Sequence, residues 1–273
     1  MLRQNVVGVN HSDILSVKKP NDALKELVET SPKDELITAL NRLLRMLVRQ
    51  SSNLSTEDFG VFGSVLHDFH HPKFSDLDFA VYGSKRLAEL RAELQDMYGD
   101  VHSLLSNEFE TEEPIRGKHW RFRNYGPKEY VWHQERKMIY ALYEGVEGRR
   151  KVKAEFEPVK ECDEIINEYD SERRISQKGW VKMLAYVKDD SDAPFIPSIY
   201  RIEPSDVLHG AREADEAVRV VSFMEEFRLQ AFKDEKIYVE GNLEEVTTSK
   251  GGFHQIALTC CPRYYEQTLK AAI

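Results

Sequence analysis

The chain has 273 residues, of which 41% are hydrophobic, 31% charged and 10% aromatic. This composition is typical of a globular protein with a buried core and excludes an intrinsically disordered chain. No apolar run approaches the roughly 20 residues of a membrane-spanning helix, and no secretory signal begins the sequence. Because its three cysteines have neither disulfide-framework nor zinc-finger spacing, the sequence predicts a protein of the reducing cytoplasm, with no membrane partner.

The charge is distributed unevenly along the chain. The formal net charge of −9 disfavours a protein that coats nucleic acid with its whole surface. Residues 114–153 nevertheless carry 11 basic and 4 acidic side chains, a net charge of +7. A positive window inside an acidic chain indicates a local anionic partner. The alternative is a solvated pair of strands whose charges serve solubility alone.

The first half of the chain is predicted to alternate helices with strands. Leucines recur at three- and four-residue steps over 34–50, which indicates an amphipathic helix that Ser31 or Asp34 caps. The other elements predicted here are strands over 59–63 and 77–82 and a helix over 85–97.

The second half is predicted to contain more strands. Aromatic and β-branched residues predict strands over 118–125 and 130–143, with a turn at Gly126-Pro127 between them. Alternation of apolar and charged residues predicts a strand over 151–159. The remaining elements are two helices within 161–188, a break at 189–194, and strands over 218–232, 236–246 and 253–259.

These elements predict an α+β fold, with a mixed β-sheet flanked by helices and a small all-β module at the C-terminus. The break at 189–194 is rich in aspartate and ends in proline, which indicates a domain boundary. The predicted organisation is an N-terminal helical segment that packs on the core, a core with its following helices, and a β domain, spanning 1–55, 56–194 and 195–273 respectively.

The most informative stretch joins the first two predicted strands. Gly63 and Ser64 follow the first strand, and Asp76-Leu77-Asp78 opens the second. Alternation along a strand places both aspartates on one face, where two carboxylates repel each other unless a cation lies between them. Hard oxygen ligands favour Mg²⁺ or Mn²⁺, and Mg²⁺ keeps positions open for substrate phosphates. The backbone at Gly63 and the hydroxyl of Ser64 are suited to contact such phosphates.

This pattern resembles the nucleotidyltransferase superfamily that includes DNA polymerase β, poly(A) polymerases and CCA-adding enzymes. The family pattern is Gly-Ser after a strand, a loop, and an acid-hydrophobic-acid triplet on the next strand. The resemblance is specific over residues 59–83 and extends to 159, where a third acid is expected. The whole chain is also similar to predicted archaeal-type nucleotidyltransferases that carry a small C-terminal β-module.

The resemblance implies transfer of a nucleoside monophosphate from an NTP, such as ATP, to a hydroxyl acceptor, with release of pyrophosphate and with two metal ions. By this resemblance Asp76 and Asp78 bind both ions, and Gly63 and Ser64 hold the β- and γ-phosphates. Glu155 is the favoured third carboxylate, binding the ion on the acceptor side. The alternative is Glu157, which points to the same face of the predicted strand.

Further candidate residues lie in the positive window and in the loop before the two aspartates. Lys118, Arg121 and Arg123 alternate on one predicted strand face and are candidates for contacts to the triphosphate or to acceptor phosphates. The aromatic residues of the window either stack a base or fill a core; they are Trp120, Tyr125, Tyr130 and Trp132. The loop residues His67, Asp68, His70 and His71 are better explained by a solvated loop than by a metal cluster.

Three functions remain open from the sequence. The positive, aromatic window and the β-module favour RNA as the acceptor. The net charge of −4 on residues 195–273 favours nucleotidylation of a small molecule or a protein instead, because most nucleic-acid-binding modules are basic. A non-catalytic, nucleotide-binding regulatory protein of the same fold is the third possibility.

Overall fold

The computed structural model describes residues 8–145 and 151–272. The described residues form two compact units. The mixed-sheet unit comprises residues 8–114, 134–145 and 151–165. The barrel unit comprises residues 115–133 and 166–272.

The mixed-sheet unit contains a five-stranded sheet, whose strands are β1 (Phe59–Val61), β2 (Leu77–Tyr82), β3 (Leu105–Asn107), β4 (Tyr140–Tyr143) and β5 (Val152–Val159). Their order across the sheet is β1-β2-β5-β4-β3. Strands β2 and β5 are parallel, and the other neighbouring pairs are antiparallel. The helices in chain order are α1 (Pro20–Glu29), α2 (Glu35–Gln50), α3 (Gly63–Leu66), α4 (Ser84–Gly99) and α5 (Pro127–Arg136), the last of which begins in the barrel unit.

One face of the sheet is apolar and carries the helices. Leu77, Phe79 and Val81 alternate along β2 and are buried, as are Ala154 and Phe156 on β5. The rings of Phe79 and Phe156 stack with their centroids 5.5 Å apart, and α4 packs on both strands. Burial of this face aligns β2 with β5 and leaves the alternate positions of both strands on the opposite face.

Asp34 caps helix α2 and also holds a loop. Its Oδ1 accepts hydrogen bonds from the backbone amides of Leu36 at 2.9 Å and Ile37 at 3.0 Å. Its Oδ2 lies 2.9 Å from Nε2 of His70, whose side chain is only 4% exposed. Burial works to raise the pKa of Asp34, but His70 and the two amides outweigh it and lower that pKa overall. Of the two predicted caps, Asp34 is therefore the one that forms.

The barrel unit contains a closed sheet of five strands. They are β6 (Arg174–Asp192), β7 (Ser198–His209), β8 (Ala217–Ser222), β9 (Lys236–Thr248) and β10 (Gly251–Leu258), and β11 (Thr268–Ala271) is added beside β9. Strand β6 pairs with both β7 and β9, β7 pairs with β8, β8 runs parallel to β10, and β10 pairs with β9 to complete the circle. This is a five-stranded Greek-key barrel, the architecture of OB folds.

Residues 115–133 belong to the barrel unit although they precede it by more than thirty residues in the chain. Tyr125 lies in the barrel core. The amide of Asn124 donates to Glu240, a side chain that is only 1% exposed. Glu240 also accepts from Nε1 of Trp180 and from the hydroxyl of Tyr238, at 2.8 and 2.9 Å. A buried carboxylate with this many donors holds the segment firmly, because each lost bond would leave a desolvated charge.

The α+β class and the all-β C-terminal module are confirmed. The strand predicted over 118–125 is wrong, because that stretch is irregular and its aromatic side chains pack against the barrel core. The strand predicted over 130–143 is also wrong, since α5 occupies its first half and β4 its end. Pro127 begins α5, a position at which proline favours a helix. The β-formers of this window therefore pack as a core without belonging to a sheet.

The helices predicted within 161–188 are wrong as well. Strand β6 begins at Arg174, and its apolar residues alternate as they enter the barrel core, at Val181, Met183, Ala185 and Val187. The break predicted at 189–194 therefore falls on the end of a strand, and the second unit resumes at Ile166. The strand predicted over 218–232 ends early, at Ser222. Among the described residues, no helix is long and apolar enough to cross a membrane.

Asp34 both caps α2 and contacts His70, and this leads to a prediction about stability. We expect Asp34→Ala to lower the free energy of unfolding by about 2 kcal/mol, because it removes a helix cap and leaves buried His70 without its partner. The loss should be full at neutral pH and shrink as the pH falls through the lowered pKa of Asp34. Urea unfolding at several pH values measures it. Ser31→Ala is the matched control and should change stability by less than about 0.5 kcal/mol.

Candidate active site

The carboxylates predicted to act together are brought together by β2 and β5. The two strands are parallel neighbours, and their register pairs Asp78 with Glu155 and Ala80 with Glu157. Paired residues of adjacent strands lie on the same face of a sheet. Asp76 lies one residue before β2 begins. The polar face of the sheet therefore collects the predicted acids, opposite the apolar face that carries the helices.

Gly63 lies directly against Asp78. Its φ of +62° is a left-handed conformation that favours glycine, and a Cβ added there would overlap Oδ2 of Asp78. The backbone amide of Phe62 donates to the carbonyl of Asp78 at 3.0 Å, which holds this turn to β2. Ser64 follows within the single helical turn α3. The Gly-Ser pair and the second aspartate therefore form one compact arrangement, in which only glycine leaves room for the carboxylate.

The electrostatics of the site are those of crowded negative charge. Burial raises the pKa of the Asp78 carboxyl, and the charges of Asp76 and Glu157 raise it further. Carboxylate oxygens of Glu155 and Glu157 lie within 4.8 Å of each other. Glu157 thus acts on Asp78 electrostatically although its strand partner is Ala80. Both glutamates belong to the cluster, and the choice between them as third carboxylate stays a prediction.

Among the described residues, Glu155 and Glu157 belong to a group of acids whose oxygens lie close enough together to share a metal ion, and Asp76 and Asp78 do not. Four carboxylates supply only hard oxygen ligands, which suit Mg²⁺ or Mn²⁺ rather than a softer metal. The raised pKa of Asp78 means that ionising the cluster costs free energy, and a bound dication would offset that cost. That Asp76, Asp78 and Glu155 hold a metal ion stays a prediction, with Glu157 as a further candidate ligand from the same strand as Glu155.

The loop between Ser64 and Asp76 is held by contacts with residues that precede it in the chain. His70 contacts Asp34, and Asp68 forms an ion pair with Lys33. The ammonium of Lys18 donates to the carbonyl of Leu66 at 3.3 Å. The histidines of this loop form no metal cluster with its acids among the residues that the structure describes. The interpretation as a surface loop is thus favoured, with the correction that His70 is buried.

The three predicted basic contacts lie in the barrel unit. The guanidinium of Arg121 donates to the hydroxyl of Tyr265 at 3.0 Å and lies over the same ring, and Arg123 pairs with Glu266 at 3.4 Å. Lys118 belongs to the same irregular stretch. Their predicted alternation on a strand face is wrong, because no strand forms there, and their role with nucleotide stays a prediction.

Lys153 is a further basic side chain on the polar face of β5. It precedes Glu155 by two residues on β5 and therefore shares its face. Glu108 forms an ion pair with its ammonium. The alternation that identified Glu155 could also have identified Lys153, since both belong to the charged half of the same pattern.

Comparison with known proteins finds a distant relative. Over 215 residues the chain is 26% identical to the uncharacterized protein MJ1086 of Methanocaldococcus jannaschii. The match covers 75% of this chain and 56% of the relative, so the chain spans a little over half the length of that curated protein. No protein-family model matches the chain, and no solved structure matches it significantly. The relative's name assigns no activity, so the functional argument rests on the residues of the site.

The raised pKa of Asp78 leads to a prediction about how the stability of the metal-free protein depends on pH. A carboxyl whose pKa is raised by folding destabilises the fold once it ionises, so the penalty appears as the pH rises through that raised pKa. We expect Asp78→Asn to be as stable as the parent at low pH and equally or more stable at neutral pH. Thermal melts in a chelator across pH measure this difference. Asp96→Asn, an exposed carboxylate on α4, is the control and should show no such pH dependence.

Proposed function

We propose that the protein is a divalent-metal-dependent nucleotidyltransferase of the DNA polymerase β-like superfamily. It would move a nucleoside monophosphate from an NTP to a hydroxyl acceptor, with RNA as the favoured acceptor, and release pyrophosphate. The observation that carries the proposal is the fit of Gly63 against the Asp78 carboxylate, with Glu155 as the cross-strand partner of Asp78. Gly63 and Glu155 are distant from each other in sequence, yet both are neighbours of Asp78, and this supports the proposal.

The chemistry assigned to the site is phosphoryl transfer. Bound Mg²⁺ ions would stabilise the attacking and leaving oxygens of an in-line displacement. Asp76 and Asp78 would hold these ions between the protein and the triphosphate. The backbone around Gly63 and the hydroxyl of Ser64 would donate to the phosphate oxygens. Glu155 would orient the acceptor hydroxyl and accept its proton as the new phosphate ester forms.

The acceptor is proposed from the barrel unit. A Greek-key barrel of this type presents a face on which oligonucleotides bind in OB folds, which supports RNA. The net charge of −4 on residues 195–273 supports the alternative, a small molecule or protein as acceptor. We place the activity in the cytoplasm, because none of the three cysteines, all of which the structure describes, forms a disulfide, and thiols persist in a reducing compartment.

Nucleotide binding supplies the first test. The parent protein should be stabilised by Mg²⁺ with ATP or another NTP, by about 2.7 kcal/mol at 100 times Kd. Asp78→Asn should lose that stabilisation, because the metal site is destroyed, while Asp96→Asn should keep it. Thermal melts with and without the metal and nucleotide measure both. Full metal-dependent stabilisation of Asp78→Asn would place the nucleotide site elsewhere.

Transfer itself supplies the second test. The protein is incubated with each labelled NTP, Mg²⁺ and total RNA, and label is followed in RNA, in protein and in pyrophosphate. Asp78→Asn should reduce transfer by about a hundredfold or more, because the ions that stabilise the transferring group are lost. Glu155→Gln should lose transfer yet keep more nucleotide binding, and Glu157→Gln should keep both.

The outcomes separate the alternatives. Label in RNA supports the leading proposal, and label in the protein or only in released pyrophosphate supports another acceptor. Nucleotide binding without transfer to any acceptor supports a regulatory protein of the same fold. If Glu157→Gln is inactive and Glu155→Gln is active, the third carboxylate is Glu157 and the rest of the proposal stands.

A further inference from the structure

A concave site lies wholly within the barrel unit. A groove of about 690 Å³ is lined by residues 166–171 and 173, by residues of β7, β8 and β10, and by the end of β9 with the turn that follows it. We call it the barrel groove. None of the acids of the candidate active site lines it. Nothing in the proposed transfer chemistry requires such a groove, so its side chains need their own explanation.

Buried Arg219 builds one wall of the barrel groove. Its side chain is only 7% exposed, and two of its nitrogens donate to the carboxylate of Glu168 at 2.8 and 3.2 Å. Its Nε donates to Gln255 at 2.9 Å, and its guanidinium lies 4.9 Å from the ring centre of Phe253. A bidentate, stacked arginine of this kind has a fixed orientation. It ties the segment before β6 to strands β8 and β10.

A second pair of hydrogen bonds fixes the groove. Asp170 accepts hydrogen bonds from the backbone amide and the hydroxyl of Ser249, at 2.9 and 2.8 Å. These bonds join the segment before β6 to the turn between β9 and β10, and they lower the pKa of Asp170. The groove is therefore preformed, because both of its acids are already engaged with the protein.

The exposed side chains of the groove include an aromatic ring and cations, beside Ile166 and the partly exposed carboxylate of Glu168. Tyr169 is 83% exposed, although a ring of this size would gain free energy from burial. Arg201 is 61% exposed, with Asp189 at 3.7 Å, and Lys250 is exposed on the turn. The groove contains four cationic and two acidic residues, Arg173, Arg201, Arg219 and Lys250 against Glu168 and Asp170. The groove therefore has more positive than negative side chains, although residues 195–273, which form most of the barrel unit, carry a net charge of −4.

We propose that the barrel groove binds single-stranded nucleic acid. Tyr169 offers a face on which an unstacked base can lie, and Arg201 and Lys250 contact the backbone phosphates on either side. A single strand is favoured over a duplex, because the bases of a duplex are stacked on each other and cannot reach the ring. If the proposed transferase activity is correct, this strand carries the acceptor hydroxyl, and only that last clause rests on the proposed function.

Binding of a labelled strand by the full chain tests the proposal. The probes are fluorescein-labelled single strands of about 16 nucleotides, one of RNA and one of DNA with the same mixed sequence, and the matching duplex. Anisotropy is measured in a chelator without NTP, so that the metal site takes no part. The parent protein should bind a single strand more tightly than the duplex. A preference for RNA or for DNA identifies the strand, and either one supports the proposal.

Matched variants assign the binding to the groove. Tyr169→Ala should weaken it about 5- to 100-fold, whereas Tyr169→Phe should keep it, because stacking needs only the ring. The double variant Arg201→Ala with Lys250→Ala should flatten the log–log salt dependence by about 1.4, the expected loss for two contacts to a single strand. Lys233→Ala removes an exposed lysine of the same unit that does not line the groove, and it should leave affinity and slope unchanged.

The proposal is overturned if no single strand binds, if the duplex binds more tightly, or if Tyr169→Ala binds like the parent. An equal loss in Lys233→Ala would also overturn it, since binding would then follow total charge. Failure here is distinguishable from failure of the transferase proposal. Tyr169→Ala should keep its stabilisation by Mg²⁺ with NTP, and Asp78→Asn should keep strand binding, because the two sites share no residue.

Discussion

The parallel pairing of β2 with β5 is the constraint on which the candidate active site depends. It places Asp78 beside Glu155 and within the field of Glu157, an arrangement that like charges oppose. The register persists because the reverse face of the same strands is apolar, with Phe79 stacked on Phe156 and both buried. Hydrophobic burial on one face thus holds together, on the other, a set of carboxylates that would separate in an unfolded chain.

The approach of the Gly-Ser turn follows from the same strand. Gly63 has no Cβ, so its backbone comes against the Asp78 carboxylate. The loop that returns the chain to Asp76 is held by His70, which is bound to the residue that caps α2. One aspartate, Asp34, therefore starts a helix and positions the loop that connects the glycine to the acids. Its environment lowers its pKa, whereas that of Asp78 raises it, which separates a structural carboxylate from one suited to a cation.

The barrel unit uses buried charge for a different purpose. Glu240 and Arg219 are both nearly inaccessible to water, and each has several hydrogen-bond partners. Glu240 joins the segment 115–133 to the barrel, and Arg219 joins the residues before β6 to strands β8 and β10. Such satisfied groups specify one arrangement of irregular chain, because any other arrangement leaves a buried charge unpaired. The exposed cations and the ring of Tyr169 are thereby left in fixed positions around the barrel groove.

The local sequence pattern determined the elements in which the spacing of apolar residues matches the face that is buried. The leucines of α2 and the alternation along β2 and β5 predicted these elements to within a residue or two, and the spacing of Asp76 and Asp78 predicted a shared face. Tertiary structure decided what depends on distant partners: that Asp34 and not Ser31 caps α2, that Glu157 acts on Asp78, and that 118–125 fills a barrel core without forming a strand. It also decided that 174–192 is a strand, since β6 is completed by β7 and β9 from later in the chain. Hydrogen bonding and burial between residues far apart in sequence are absent from any local window, and they override propensity wherever the two disagree.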